Sequence, residues 1–213
     1  MSMRKHLIWD WNGTLFDDFP AIVASTNHAI ATLDGPSLSV AEHRTRFYRP
    51  IIDFYSELVG RQLTQEEFAT LDDLFHDYYA QRLDECPLTS DAVEAIAAWS
   101  GTQSLLSMWM HDSLVPLVTT RGLSDKFSRI DGLQNDYINS KHPHLLAHMQ
   151  SQGIEADDCV LIGDSVDDAL SAKRAGAACV LYTGGFTAPE QFADLGFPIA
   201  DTLTDAVMLA QTS

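Results

Sequence analysis

At 213 residues the chain can bury roughly 70–75% of its extended surface, so its core requires no disulfide or structural metal. Apolar residues make up 46% and charged residues 20%, ordinary globular usage. With 30 acidic against 13 basic side chains the net charge is −17, which argues against nucleic-acid backbones and anionic membranes as partners, since both attract basic surfaces. The run His6-Leu7-Ile8-Trp9 is short, apolar and β-prone, and predicts a buried strand ending at Asp10. Asn12-Gly13 breaks it, and Asp17-Asp18 with Pro20 marks a helix start. From there to Pro87 apolar residues recur at helical spacing over 21–33, 51–59 and 65–83, punctuated by Gly35-Pro36 and Gly60, with no strand pattern.

After Pro87 strands and helices alternate. The sequence predicts a helix over 90–99, a strand near Ser104-Leu105-Leu106-Ser107 and a helix over 112–120. A segment of unclear type, 127–138, precedes a helix starting near His142. Cys159-Val160-Leu161-Ile162 is a strand that ends in Gly163-Asp164, and the following helix, 166–175, stops at Gly176. Ala178 to Leu181 is a further strand, turned by Gly184-Gly185. The alternation implies a doubly wound, Rossmann-like α/β core on a parallel sheet. The ~70 helical residues after the first strand are too long for a simple crossover, and read as an inserted all-helical cap. The expected division is 1–16 with 88–213 as core and 17–87 as cap.

Three cysteines, Cys86, Cys159 and Cys179, form no CxxC pair and read as reduced, buried thiols. The N-terminal apolar stretch is too short for a signal-peptide core, and no run approaches the ~18 apolar residues of a membrane span. The expectation is a soluble, cytoplasmic chain.

Ligands of open parallel sheets bind beyond the carboxyl ends of strands. Those ends deliver Asp10-Trp11-Asn12-Gly13-Thr14, Ser107, and Gly163-Asp164-Ser165-x-x-Asp168, with Lys141 at a helix start as a fourth contributor; Lys126 and Arg129 compete with it. Converging carboxylates repel unless a cation lies between them, and a hard divalent ion such as Mg²⁺ takes such oxygen ligands. A hydroxyl and an ammonium facing that ion suit a phosphoryl group.

These motifs, in this order, resemble the haloacid dehalogenase superfamily, and within it the phosphoglycolate-phosphatase-like and β-phosphoglucomutase-like members with a helical cap. The resemblance covers nearly the whole chain. It implies Mg²⁺-dependent hydrolysis of a small phosphorylated metabolite. Asp10 would be the nucleophile that forms an aspartyl phosphate. Asp10, the Asn12 carbonyl and Asp164 would hold Mg²⁺, Ser107 and Lys141 would bind phosphoryl oxygens, and Asp168 would stand behind them or orient Lys141. The family's phosphatases carry an acid–base Asp where this chain has Asn12. A carboxamide cannot deliver that proton, so the resemblance leaves several outcomes open: slow turnover or good leaving groups, a proton from His111, Asp17 or a cap residue, phosphomutase activity, or a phosphate-ester-binding or regulatory protein. Elsewhere, Arg46 and Arg49 in a basic cap segment are candidates for reading the substrate's distal part. His142, His144 and His148 read as an exposed helix rather than a metal site. Asp167 reads as a first-turn helix carboxylate, and the oligomeric state is unreadable.

Overall fold

The structure is a computed structural model that describes residues 6–48, 50–134 and 140–212. The chain divides into two compact units, residues 1–17 with 88–213, and residues 18–87.

The first unit is an α/β fold. Its six strands are β1 (His6–Trp9), β2 (Thr102–Met110), β3 (Ile130–Leu133), β4 (Cys159–Gly163), β5 (Ala178–Tyr182) and β6 (Ile199–Ala200). They are all parallel and lie in the order β3-β2-β1-β4-β5-β6. Every residue of β1 and of β4 is buried, as strands covered on both faces must be. Ile8 pairs with Ser104 on one side and Leu161 on the other, which sets the ends of β1, β2 and β4 near one level. A core of Ile8, Leu106, Leu145, Met149, Leu161, Cys179, Leu181 and Phe192 packs behind them.

The second unit is all-helical: α1 (Phe19–Ala31), α2 (Val40–Arg46), α3 (Ile51–Val59) and α4 (Gln65–Ala80). Its core gathers Ala29, Ile30, Leu38, Phe54, Tyr55, Leu58, Leu63 and Leu71. Helix α2 is too polar to be found by apolar spacing, yet Ser39 and Glu42 form a reciprocal capping box at its start. The same device, Thr64 with Glu67, starts α4. Helices α5 (Ala92–Ala98), α6 (His111–Thr120), α7 (His142–Gln152), α8 (Val166–Ala175) and α9 (Leu203–Thr212) belong to the α/β unit.

Five features depart from the sequence expectation. Strand β2 has nine residues, longer than the four read from its centre, because pairing extends back to the polar Thr102-Gln103 along β1 and forward to Met110 along β3. Strand β3, Ile-Asp-Gly-Leu, lies in the segment of unclear type and has too few apolar residues to declare itself. Two-residue β6 and helix α9 were not anticipated. His148 is no exposed helix residue: its ring is buried between Ser104 Oγ and Asp131 Oδ2, each at 2.7 Å. None of the three cysteines is in a disulfide. Among the described residues no helix is long and apolar enough to cross a membrane.

Candidate active site

Asp10 follows the last residue of β1, and its N–H donates to the carbonyl of Ile162 at 2.9 Å, continuing the sheet one residue further. The chain then reverses in a tight turn in which the N–H groups of Thr14 and Phe16 both donate to the Trp11 carbonyl, at 3.1 and 2.9 Å. Gly13 supplies the φ of +74° that this turn needs. A Cβ there would also lie 2.6 Å from Asp164 Oδ2. The turn carries Thr14 under the carboxylates, where its hydroxyl faces Asp164 Oδ1 at 3.0 Å and Asp10 Oδ2 at 3.3 Å.

Asp164 follows β4. Its Oδ2 accepts the Phe186 N–H at 2.6 Å, from the loop after β5. Gly185 makes this approach possible, since a Cβ at that position would overlap the Asp164 side chain. Asp168 is the third residue of α8 and closes a capping box with Ser165: Asp168 Oδ2 accepts the Ser165 N–H at 3.0 Å and its hydroxyl at 2.6 Å. The box fixes one carboxylate oxygen and leaves Oδ1 to accept from Lys141 Nζ. The same ammonium donates to Asp10 Oδ1 at 2.5 Å. Lys126 and Arg129, the competing cations, are instead paired with Asp125 and Asp131.

Asp10, Asp164, Asp168 and Lys141 are all buried. Oxygens of the three carboxylates lie within 4.8 Å of one another. Burial pushes Asp10 up to about 6, against the pull of Lys141 and with a further push from Asp168. Burial, then the charges of Asp10 and Asp168, raise Asp164 well above the usual carboxylate range, opposed by the Phe186 N–H and the Thr14 hydroxyl. Burial opposes the charge on Lys141, but Asp10 and Asp168 together hold it above the ordinary lysine value. Three carboxylates thus face one ammonium. The excess negative charge and the all-oxygen donor set fit a hard divalent cation.

Ser107 and Asn12 meet at the ends of β2 and β1. The Ser107 hydroxyl donates to Asn12 Oδ1 at 3.1 Å and accepts the Trp109 N–H at the same distance. The Asn12 carboxamide thus meets the Ser107 hydroxyl through Oδ1. Of the other acids and bases named from sequence, Asp17 is exposed, and His111 Nδ1 accepts the Gly132 N–H at 3.2 Å. Arg46 belongs to the helical unit, where it pairs with Glu57 at 3.0 Å on the surface. Arg49 lies outside the described residues.

Sequence reasoning missed two contributors. Asp167 accepts the Lys141 backbone N–H at 2.7 Å and the Ser140 hydroxyl at 3.1 Å. Phe186 acts through its backbone, so only the preceding Gly184-Gly185 pair hinted at a close approach there.

The sequence profile described as "Haloacid dehalogenase-like hydrolase" matches residues 7–182. The phosphoglycolate phosphatase of Vibrio parahaemolyticus serotype O3:K6 is 25% identical, over 98% of this chain and 97% of its own length. That of Mesorhizobium japonicum is 29% identical, over 86% and 85%. A crystal structure described as a predicted phosphoglycolate phosphatase from Haemophilus somnus superposes with a TM-score of 0.80 at 22% identity, covering 99% of this chain and 100% of its own. A haloacid dehalogenase-like hydrolase from Streptococcus pneumoniae superposes with a TM-score of 0.85 at 17% identity, covering 98% and 99%. These likenesses to solved structures establish the fold.

Proposed function

The chain belongs to the haloacid dehalogenase-like hydrolase family, and on that premise we propose that it is a phosphatase hydrolysing a small phosphorylated metabolite through an aspartyl phosphate on Asp10. One observation carries this reading: three buried carboxylates and one buried ammonium converge at the carboxyl ends of adjacent parallel strands. Relatives named phosphoglycolate phosphatases make 2-phosphoglycolate the first ester to test.

In the first step an Asp10 carboxylate oxygen bonds to phosphorus as the bond from phosphorus to the leaving oxygen breaks. Lys141 favours the ionised form of Asp10 and offers its remaining donor capacity to a phosphoryl oxygen. Ser107, hydrogen-bonded to Asn12, offers a hydroxyl to another phosphoryl oxygen. In the second step water attacks the phosphorus, releasing phosphate and regenerating the Asp10 carboxylate. Mg²⁺, held by Asp10, the Asn12 carbonyl and Asp164, would supply charge neutralisation for the phosphoryl group.

Asn12 governs what this chain does differently. Its carboxamide can donate a hydrogen bond to the departing oxygen but no proton, and it cannot take a proton from the attacking water. A positioned acid–base is worth roughly 10²–10⁴-fold, so rates here should follow the intrinsic quality of the leaving group. The same feature favours a second reading, a phosphate-ester-binding or regulatory protein with little turnover.

A panel of phosphate monoesters spanning leaving-group pKa, assayed with Mg²⁺, tests the proposal. The expected result is a rate that rises steeply as leaving-group pKa falls. A flat dependence would sink the claim that Asn12 leaves the step unassisted. Mass spectrometry of Asp10 after acid quench separates the two readings: a covalent phosphate supports the enzyme, and tight ester binding with neither phosphoenzyme nor turnover supports the binder.

A further inference from the structure

Lys141 has to deliver an ammonium from the start of a helix to two carboxylates, and a lysine is poorly equipped to hold itself there. It occupies the cap position of α7, but its side chain has no acceptor for the helix's exposed N–H groups. The acceptor comes from another helix. Asp167 Oδ2 takes the Lys141 N–H at 2.7 Å, and Asp167 Oδ1 takes the hydroxyls of Ser140 at 3.1 Å and Ser171 at 3.4 Å. Ser140 Oγ in turn accepts the His142 N–H at 3.3 Å. The next residue, Asp168, binds the other end of the same lysine at Nζ.

Successive residues on a helix point about 100° apart, so neighbouring side chains serve different surfaces. At the start of α8 this spacing sends one carboxylate to the chain entering α7 and the next to the strand ends. We propose that Asp167 is a positioning residue for the phosphoryl site. It clamps the Lys141 backbone while Asp168 and Asp10 clamp the ammonium, so the lysine is fixed at both ends. No hydrogen bond or ion pair joins Asp167 to Asp10; it acts through Lys141.

The inference rests on the phosphatase reading, in which Lys141 binds a phosphoryl oxygen. The test is a double-mutant cycle on the full chain, reading inorganic phosphate affinity by calorimetry with Mg²⁺ present. Asp167→Ala should weaken phosphate by about tenfold in the wild-type background and by less than about twofold when Lys141 is already Ala, because coupled residues do not add. Asp167→Asn, which keeps one acceptor oxygen, should fall between wild type and Ala, and it carries the cycle if the Ala variant does not fold. Hydrogen exchange at the Lys141 amide should accelerate in Asp167→Ala. Equal losses in both Lys141 backgrounds, or no loss in either, overturn the inference even when wild type binds phosphate and turns over esters. Wild-type protein that does neither overturns the phosphatase reading, and the role assigned to Asp167 falls with it.

Discussion

Replacing Lys141 by Met removes the ammonium that faces Asp10 and Asp168 while keeping most of the side chain's bulk. Lys141 is 3% exposed and the carboxylates beside it are similarly buried, so water cannot take over its role. Removing one partner of a buried pair costs about 3–5 kcal/mol, because the charge left behind remains desolvated. Here two carboxylates lose the same partner, with Asp164 adding its charge nearby. An unfolding entropy of ~2.1 cal/mol/K per residue gives ~0.45 kcal/mol/K for 213 residues. The melting temperature of Lys141→Met should therefore fall by about 7–11 °C in EDTA. Scanning calorimetry with EDTA and with Mg²⁺ measures both halves of the argument. A divalent cation brings positive charge back to the cluster, so Mg²⁺ should raise the melting temperature of the variant more than that of the wild type. A variant within about 2 °C of wild type in EDTA would refute the claim that the ammonium holds these carboxylates together.

Asn12→Asp should raise turnover of alkyl phosphates by about 10²–10⁴-fold, and no gain with metal binding retained counts against an unassisted leaving group. Gly185→Ala places a methyl on the Asp164 side chain and turns it from the Phe186 N–H. Losing a hydrogen bond to a charged group costs about 1.5–3 kcal/mol, so Mn²⁺ affinity, read by electron paramagnetic resonance, should drop at least about tenfold; unchanged affinity would mean that the loop after β5 does not position Asp164. His43 is buried among Phe19, Phe47 and Phe54, and burial lowers it from 6.5 to about 4. Below pH 6.5 the unfolded chain binds a proton at this site that the native state refuses, so the stability present above 6.5 is lost as pH falls toward 4. Relative to His43→Leu, wild type should lose urea stability between pH 7.5 and pH 5, and an equal difference at both pH values contradicts the assignment.

The local pattern of the sequence was enough to find the strand ends that build the site. Runs such as Leu7-Ile8-Trp9 and Val160-Leu161-Ile162 are apolar throughout because both faces are covered, and within two residues each reaches a carboxylate at the carboxyl end of its strand. The helical spacing over 21–33, 51–59 and 65–83 separated the inserted unit from the alternating part for the same reason, since each pattern reflects which side of an element is buried. Polar or very short elements left no such record. Helix α2, strand β3 and strand β6 are set by capping, pairing or neighbours, and their own residues carry little apolar periodicity.

What the sequence determined by itself was an inventory: acidic strand ends, a hydroxyl, a lysine, and Asn12 where the resemblance leads one to expect an acid. What the tertiary structure decided was pairing over distance. Lys141 reaches Asp10 across 131 positions of chain, while its competitors Lys126 and Arg129 pair with Asp125 and Asp131. The spacing from Ser165 separates the two adjacent acids of α8 in sequence, but only the structure shows that Asp167 holds the Lys141 backbone while Asp168 holds its ammonium. Among the three histidines of α7, only the sheet reveals that His148 lies between Ser104 and Asp131. The physical reason is common to all three. Hydrophobic period and capping act over a few residues and are written along the chain. A buried charge must find its partner wherever parallel register and helix packing bring one within hydrogen-bond reach.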